Sequence, residues 1–351
     1  MRRPTLPTLT QVTIVLSALI AFAYLARPVV VPILVAWVGS MALKPLVTWL
    51  RRRRLPAPLA AAIIVTVFFS AISTGVYYLG APATAWMKSA PETLPRLKEK
   101  YQKVFRPLSR LDQAAAGLTA TTANTNSAPA TTSANASVPA HSLLGKVFSW
   151  SSTAAVGIGE VIALLFLLLA SGDFFSHKFA GFMKTHEEKK RALDMFHEIQ
   201  HAVSRYLFTV GLINIGLGIL IGTALYFLKM PNAVLWGAAA ALLNFIPYFG
   251  PIIGVIAVTL TGLISFDSPL QGLAPAAVYF SCHLVEANLL TPYALGYRFT
   301  MNPFIIFIFL MFCIWLWGLV GAFLAVPILV TLKVICERVK TLSFLGELLS
   351  D

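Results

Sequence analysis

Long apolar runs alternate with short charged segments along this chain. Several runs approach the roughly 20 apolar residues that a spanning helix needs. Val12 to Leu25 is a short run, and Val29 to Leu50 is a longer one interrupted by Pro32 and Gly39. Only Arg27-Pro28 stands clearly between them. The pair therefore reads either as a tight hairpin or as one long kinked helix. Arg51 to Arg54 follow as four consecutive arginines, and Leu59 to Leu79 predicts a clean third span. Residues 81–150 change character. Trp86 to Leu111 carries apolar residues at helical spacing on a polar background, the pattern of a surface helix. Gln113 to Ser137 is mostly Ala, Thr, Ser and Asn. So few bulky side chains cannot offset the entropy of ordering the backbone, and the stretch reads as a flexible tip.

Thr153 to Ala170 predicts the fourth span. Residues 174–205 are charged, yet Leu193, Phe196, Ile199, Val203 and Leu207 recur at helical spacing. That pattern predicts an amphipathic helix lying on the bilayer or on the helix bundle. Leu207 to Leu228 carries Gly211, Gly216, Gly218 and Gly222, small residues that let membrane helices approach closely. Ala233 to Leu263 is apolar but broken at Asn244 to Pro251. Ala274 to Leu290 follows. Pro303 to Ile335 exceeds one span, with Gly318 and Gly321 mid-run, and reads as one tilted helix or two half-length segments. The organisation predicted is three helices over 1–80, a loop over 81–150, a fourth helix over 151–173, an amphipathic helix over 174–205, a bundle over 206–335 and a tail over 336–351. The fold class expected is all-α, a polytopic membrane protein of about eight elements, some broken or re-entrant.

Composition narrows the function classes. Of 351 residues, 58% are hydrophobic and 12% charged. A soluble domain uses about 25% charged residues, so most of this length belongs in lipid. The net charge of +13 would point to nucleic acid in a soluble protein. Here the charges fall between apolar runs, at 51–54, 178–205 and after Lys333, which is the positive-inside pattern. It places both termini in the cytoplasm and 81–150 outside. No nucleic-acid partner is expected. Cys282, Cys313 and Cys336 lack metal-site spacing and read as buried thiols. Neither a cofactor nor a metal is expected. No H-E-x-x-H or G-x-S-x-G motif is present, so no catalytic residue is assigned and no enzyme is expected.

Candidate chemistry lies in two places. The first is the break, where Asn244, Pro247, Tyr248, Gly250 and Pro251 interrupt an apolar run. Pro247 removes an amide donor and disturbs the preceding turn. Non-helical backbone at membrane depth must be buried in protein or line a wet cavity, and transporters hold ions or polar solutes at such half-helix ends. The bland alternative is a simple kink. The second place is Glu286, in an apolar run with Leu284, Val285, Leu289 and Leu290. An intramembrane acid is a functional candidate because its burial is expensive. His283 lies three residues earlier on the same helical face. The pair reads either as a proton relay or cation site, or as a structural lock, with Asn288 and Asn302 as nearby partners. Glu160, early in the fourth span, is a weaker candidate for coupling. Asp173 reads as a local cap. Arg298 reads as a loop residue or as a partner for Glu286.

These residues resemble the AI-2E family of membrane proteins, also called PerM-like. The Asn244 to Gly254 stretch is similar to the family's Pro-Tyr-x-Gly-Pro segment. His283 through Pro292, with Gly296 and Asn302-Pro303, resembles its polar stretch around an acid-x-Asn pair, with Glu286 and Asn288 on the matching positions. Gly318, Gly321, Ala325, Val326 and Pro327 resemble its final motif, and Arg51 to Arg54 before Leu55-Pro56 its basic linker. The resemblance implies a permease of the bacterial inner membrane. Its partner would be a small polar solute such as autoinducer-2, or a sodium ion or proton in exchange. An uncoupled channel or scaffold remains a third class. The 113–137 insert is unlike a compact member. The glycine-rich faces suit contacts within one chain or between copies.

Overall fold

The computed structural model describes residues 6–100, 157–172, 174–183, 185–295 and 301–339. The 113–137 insert, Asp173, Gly296 and Arg298 lie outside them. Among the described residues every regular element is helical. Five of the described helices are long and apolar enough to cross a membrane. The fold is all-α, and the chain is a polytopic membrane protein.

In chain order the helices are α1 (Leu6–Leu25), α2 (Arg27–Arg51), α3 (Ala57–Lys100), α4 (Gly157–Ser171), α5 (Phe174–Ala180), α6 (His186–Phe227), α7 (Ala233–Leu243), α8 (Phe249–Ser265) and α9 (Pro269–Val285). A π-helical turn over Glu286–Leu290 and a short α10 (Thr291–Leu295) continue α9, and α11 covers Pro303–Arg338.

Two helices run on where the sequence predicts a boundary. The third span is expected to end at Leu79, yet α3 runs on to Lys100, 44 residues in all. At about 1.5 Å per residue it is some 66 Å long, about twice a bilayer core. Tertiary contact favours this extension: the Trp86 indole donates to Thr261 Oγ1 at 2.7 Å and packs edge-on against Trp236. Likewise the amphipathic 186–205 segment and the glycine-studded run form one 42-residue helix, α6. Its start is fixed by a capping box, Thr185 and Glu188 bonding each other's backbone amides, which satisfies two otherwise orphaned donors. The apolar stripe of its polar half, Ile199 and Val203, packs on Met41, Leu329 and Val330. It therefore lies on the bundle.

Other runs break more sharply than hydropathy shows. Between α1 and α2 only Ala26 intervenes, and Pro28 withholds an amide there. The Trp317 indole donates to the Ala23 carbonyl at 3.1 Å. The 303–338 run takes the two-segment form. Gly318 holds φ +64°, ψ −143° inside it, a conformation open almost only to glycine. A side chain on Gly321 would collide with the Cys313 carbonyl, so the chain folds back on itself. Leu310 and Cys313 accordingly share one core with Ala322, Ala325 and Ile246. The interior joins elsewhere through small residues. A Cβ on Gly218 would stand 2.7 Å from the Gly237 carbonyl oxygen, and one on Gly237 2.8 Å from the Gly222 Cα. α6 and α7 thus cross backbone to backbone. Bulky side chains point outward, Leu212 at 63% and Ile219 at 65% exposure, as a lipid-facing surface allows and water does not.

Candidate functional site

Three elements that the sequence separates meet around one cavity of about 800 Å³. α6 supplies Tyr206 and Asn214. The break between α7 and α8 supplies Asn244, Pro247, Tyr248 and Pro251. α9 and the π turn supply His283 and Glu286, with Thr291 just beyond. The remaining wall is mostly aliphatic and aromatic, including Ile213, Val255 and Phe280. A few polar groups converging in an apolar cavity is the usual make-up of a small-molecule site.

The break is a compact turn. Asn244 ends α7, and its amide Nδ2 donates to Asn214 Oδ1 on α6 at 2.8 Å. This ties the broken segment to the neighbouring long helix. Tyr248 carries φ +66°, a region that favours glycine, so its backbone is strained. The fold holds it there by packing: Tyr248 and Phe249 both pack against the Phe307 ring of α11. Gly250 is pressed against the Leu243 carbonyl and has a packing role at the turn. It does not line the cavity, whereas its neighbour Pro251 does.

Glu286 and His283 are both buried, at 8% and 6% exposure. Glu286 opens the π turn, whose widened ring has the Thr291 amide donating to the Glu286 carbonyl. That geometry aligns residues five apart, and the Thr291 hydroxyl donates to the Glu286 carboxylate. Both ring nitrogens of His283 are buried without a hydrogen-bond partner, and so is the Asn214 Nδ2. Buried polar atoms normally have partners. Here the orphans border a cavity large enough for water or a polar solute to supply them.

Other sequence candidates stand elsewhere. Asn288 is exposed, and its amide donates back to the Leu284 carbonyl at 2.8 Å. It is neither a partner of Glu286 nor part of the wall: two residues on, it stands on the opposite side of the helix. Asn302 caps α11, accepting from the Phe304 amide. Glu160 is exposed on α4, away from the cavity. Asn214, Tyr206 and Thr291 belong to the wall and are absent from the sequence reading. An Asn inside an apolar run was the available signal for the first. Thr291 needed the π turn, which no pattern in the string announces.

The profile of the family described as "AI-2E family transporter" matches residues 13–341. The chain belongs to the AI-2E transporter family. It is 25% identical over 338 residues to the "Putative transport protein YhhT" of Escherichia coli (strain K12), covering 95% of this chain and 91% of that one. It is 26% identical over 333 residues to the "AI-2 transport protein TqsA" of the same strain, covering 93% and 90%. A "Putative transport protein" of Borreliella burgdorferi is 31% identical over 198 residues, 54% of each chain. The family match runs through every element that builds the cavity, so the site described is set in the AI-2E region of the chain.

Proposed function

We propose that the cavity is the solute path of a permease, and that Glu286 is its proton- or cation-coupling group. One observation carries the reading: the broken segment and the buried acid, 42 positions apart in sequence, wall the same apolar cavity. In this reading Asn244, Asn214 and Tyr248 offer uncharged hydrogen-bonding groups to the cargo. Pro247, Gly250 and Pro251 shape the turn that presents them. His283 sits one helical turn from Glu286 and passes or shares its proton. The first-ranked cargo is a small polar signal or metabolite, exported as the relative TqsA is named for AI-2 transport. Among the described residues, Glu286 is the only carboxylate in the wall, and no Lys or Arg lines it. That favours a second reading, exchange of a cation for protons, since an exchanger needs a group that trades one for the other.

The finer topology is part of the proposal. About eight elements enter a bacterial cytoplasmic membrane, with α7–α8 and the two segments of α11 as broken or re-entrant pairs. The basic segments and both termini face the cytoplasm, and 81–150 lies outside. The clustering of Arg338 against Glu198 and Lys44 against Gln200 supports a single charged face. A cysteine introduced within 113–137 should then react with an impermeant thiol reagent before the inner membrane is permeabilised. Reaction only afterwards overturns this side assignment.

The functional test is transport by the reconstituted protein, wild type against Glu286→Gln. Saturable uptake of a labelled polar metabolite, or cation-dependent proton flux, is expected from the wild type and is lost or uncoupled in the variant. Equal flux from both removes Glu286 from the mechanism. Leakage without saturation identifies a channel, and no flux with a stable fold identifies a structural protein.

A further inference from the structure

Two further cavities lie away from the solute path, between α2 and α6, the smaller also reaching the α4–α5 corner. One holds about 290 Å³ and the other about 510 Å³. Both are walled by Lys44, Thr48, His197 and Gln200. The sequence explains why these groups meet. Lys44, Thr48, Arg51 and Arg52 recur at helical spacing along one side of α2. His197, Gln200, His201 and Ser204 do the same on α6. The two stripes face each other, and Lys44 Nζ donates to Gln200 Oε1 across them at 2.6 Å. Arg51 closes the smaller cavity, its guanidinium beside Gly172 at the end of α4, and Arg52 closes the larger.

The charge balance is one-sided. No Asp or Glu among the described residues lines either cavity. Of the acids on this stretch of α6, Asp194 lines neither cavity, and Glu198 pairs with Arg338 at 2.5 Å. Clustered cations with hydroxyl, amide and imidazole donors suit a phosphate-type anion. The floor of the smaller cavity is apolar, with Trp37, Met41, Leu168 and Phe179. Nearby, Arg53 lies over the Trp49 ring and Lys178 over the Phe174 ring, amphipathic pairings of the kind found at headgroup depth. A charged rim above an apolar floor matches an anionic amphiphile more closely than a free ion.

We propose that Lys44, Arg51 and Arg52, with His197, Gln200 and His201, form a binding site for a phosphate-bearing anion, separate from the solute path. The phosphate belongs to an anionic phospholipid headgroup or to a soluble phosphate. The test uses the full chain, delipidated in detergent. Binding of phosphatidylglycerol, phosphatidylcholine and inorganic phosphate is titrated for wild type, Lys44→Gln/Arg51→Gln, Arg51→Gln and Arg53→Gln. Arg53 lines neither cavity and serves as the surface-charge control. Saturable binding of phosphatidylglycerol alone, weakened about tenfold in the double variant and unchanged in Arg53→Gln, assigns the lipid headgroup. Saturable binding of inorganic phosphate with the same dependence assigns a soluble phosphate. Arg51→Gln keeps the Lys44–Gln200 contact, so a weakening there with an unchanged size-exclusion profile separates loss of the site from loss of the fold. The proposal is overturned if neither phosphate species binds, if the Lys44 and Arg51 variants bind as tightly as wild type, or if Arg53→Gln weakens binding equally.

Discussion

At the scale of single residues, what matters is how polar side chains in an apolar wall are satisfied. Glu286 receives the Thr291 hydroxyl, a contact that only a π turn brings about. Thr291→Val should leave the folded yield unchanged and reduce coupled flux severalfold, and Thr291→Ser should restore it. Flux and a size-exclusion profile on the same preparations check this. The Asn244–Asn214 bond makes a separate prediction about stability. Asn244→Leu leaves the Asn214 carbonyl oxygen unpaired and should cost about 1–3 kcal/mol. The double replacement with Asn214→Leu should recover part of that loss in thermal unfolding. These residues differ in how far the string revealed them. Glu286 and His283 were legible because charge in an apolar run is costly and therefore conspicuous. Asn214 was visible but carried no hint of its partner, which lies 30 positions away. Asn288, two residues past Glu286, faces away from the wall, and a motif match does not tell the side of the helix.

At the scale of elements, the decisive features are breaks and close crossings. Gly318 takes a backbone conformation almost closed to other residues, so Gly318→Ala should destabilise the fold by about 1–3 kcal/mol. Gly75, on a conventional stretch of α3 with open space at its Cα, should tolerate the same change, and unfolding midpoints of the two variants make the comparison. The α6–α7 crossing is stricter. Gly237→Leu would force its side chain into the backbone of Gly222, and loss of folded protein is the expected outcome. The apolar cores of most helices were readable from hydropathy alone. Their ends were less so, because the apolar run of the third span stops at Leu79 and the Trp86 contacts with Thr261 and Trp236 that favour a longer α3 are not local. Gly318, with Gly321, and the Asn244–Pro251 break stood out in the sequence as interruptions of long apolar runs.

At the scale of the whole molecule, N-terminal and C-terminal helices are joined at specific points. Trp86 reaches Thr261, Trp317 reaches Ala23, and Tyr24 stacks on Trp315. If the first contact couples the two parts, Trp86→Phe and Thr261→Val should each lower the unfolding midpoint and be non-additive together. No periodicity in the sequence could supply these contacts, which span up to 294 positions. The same long-range folding brings the Asn244 break and Glu286 to one cavity, and that convergence is the central claim. Its most direct test is to place a cysteine in the wall at Ile213, in a chain whose three native cysteines are replaced by serine. Flux is then measured before and after complete thiol modification. Blocked flux, with slower modification when transported solute is present, is the result predicted. Complete modification that leaves flux unchanged would contradict the assignment of this cavity as the solute path.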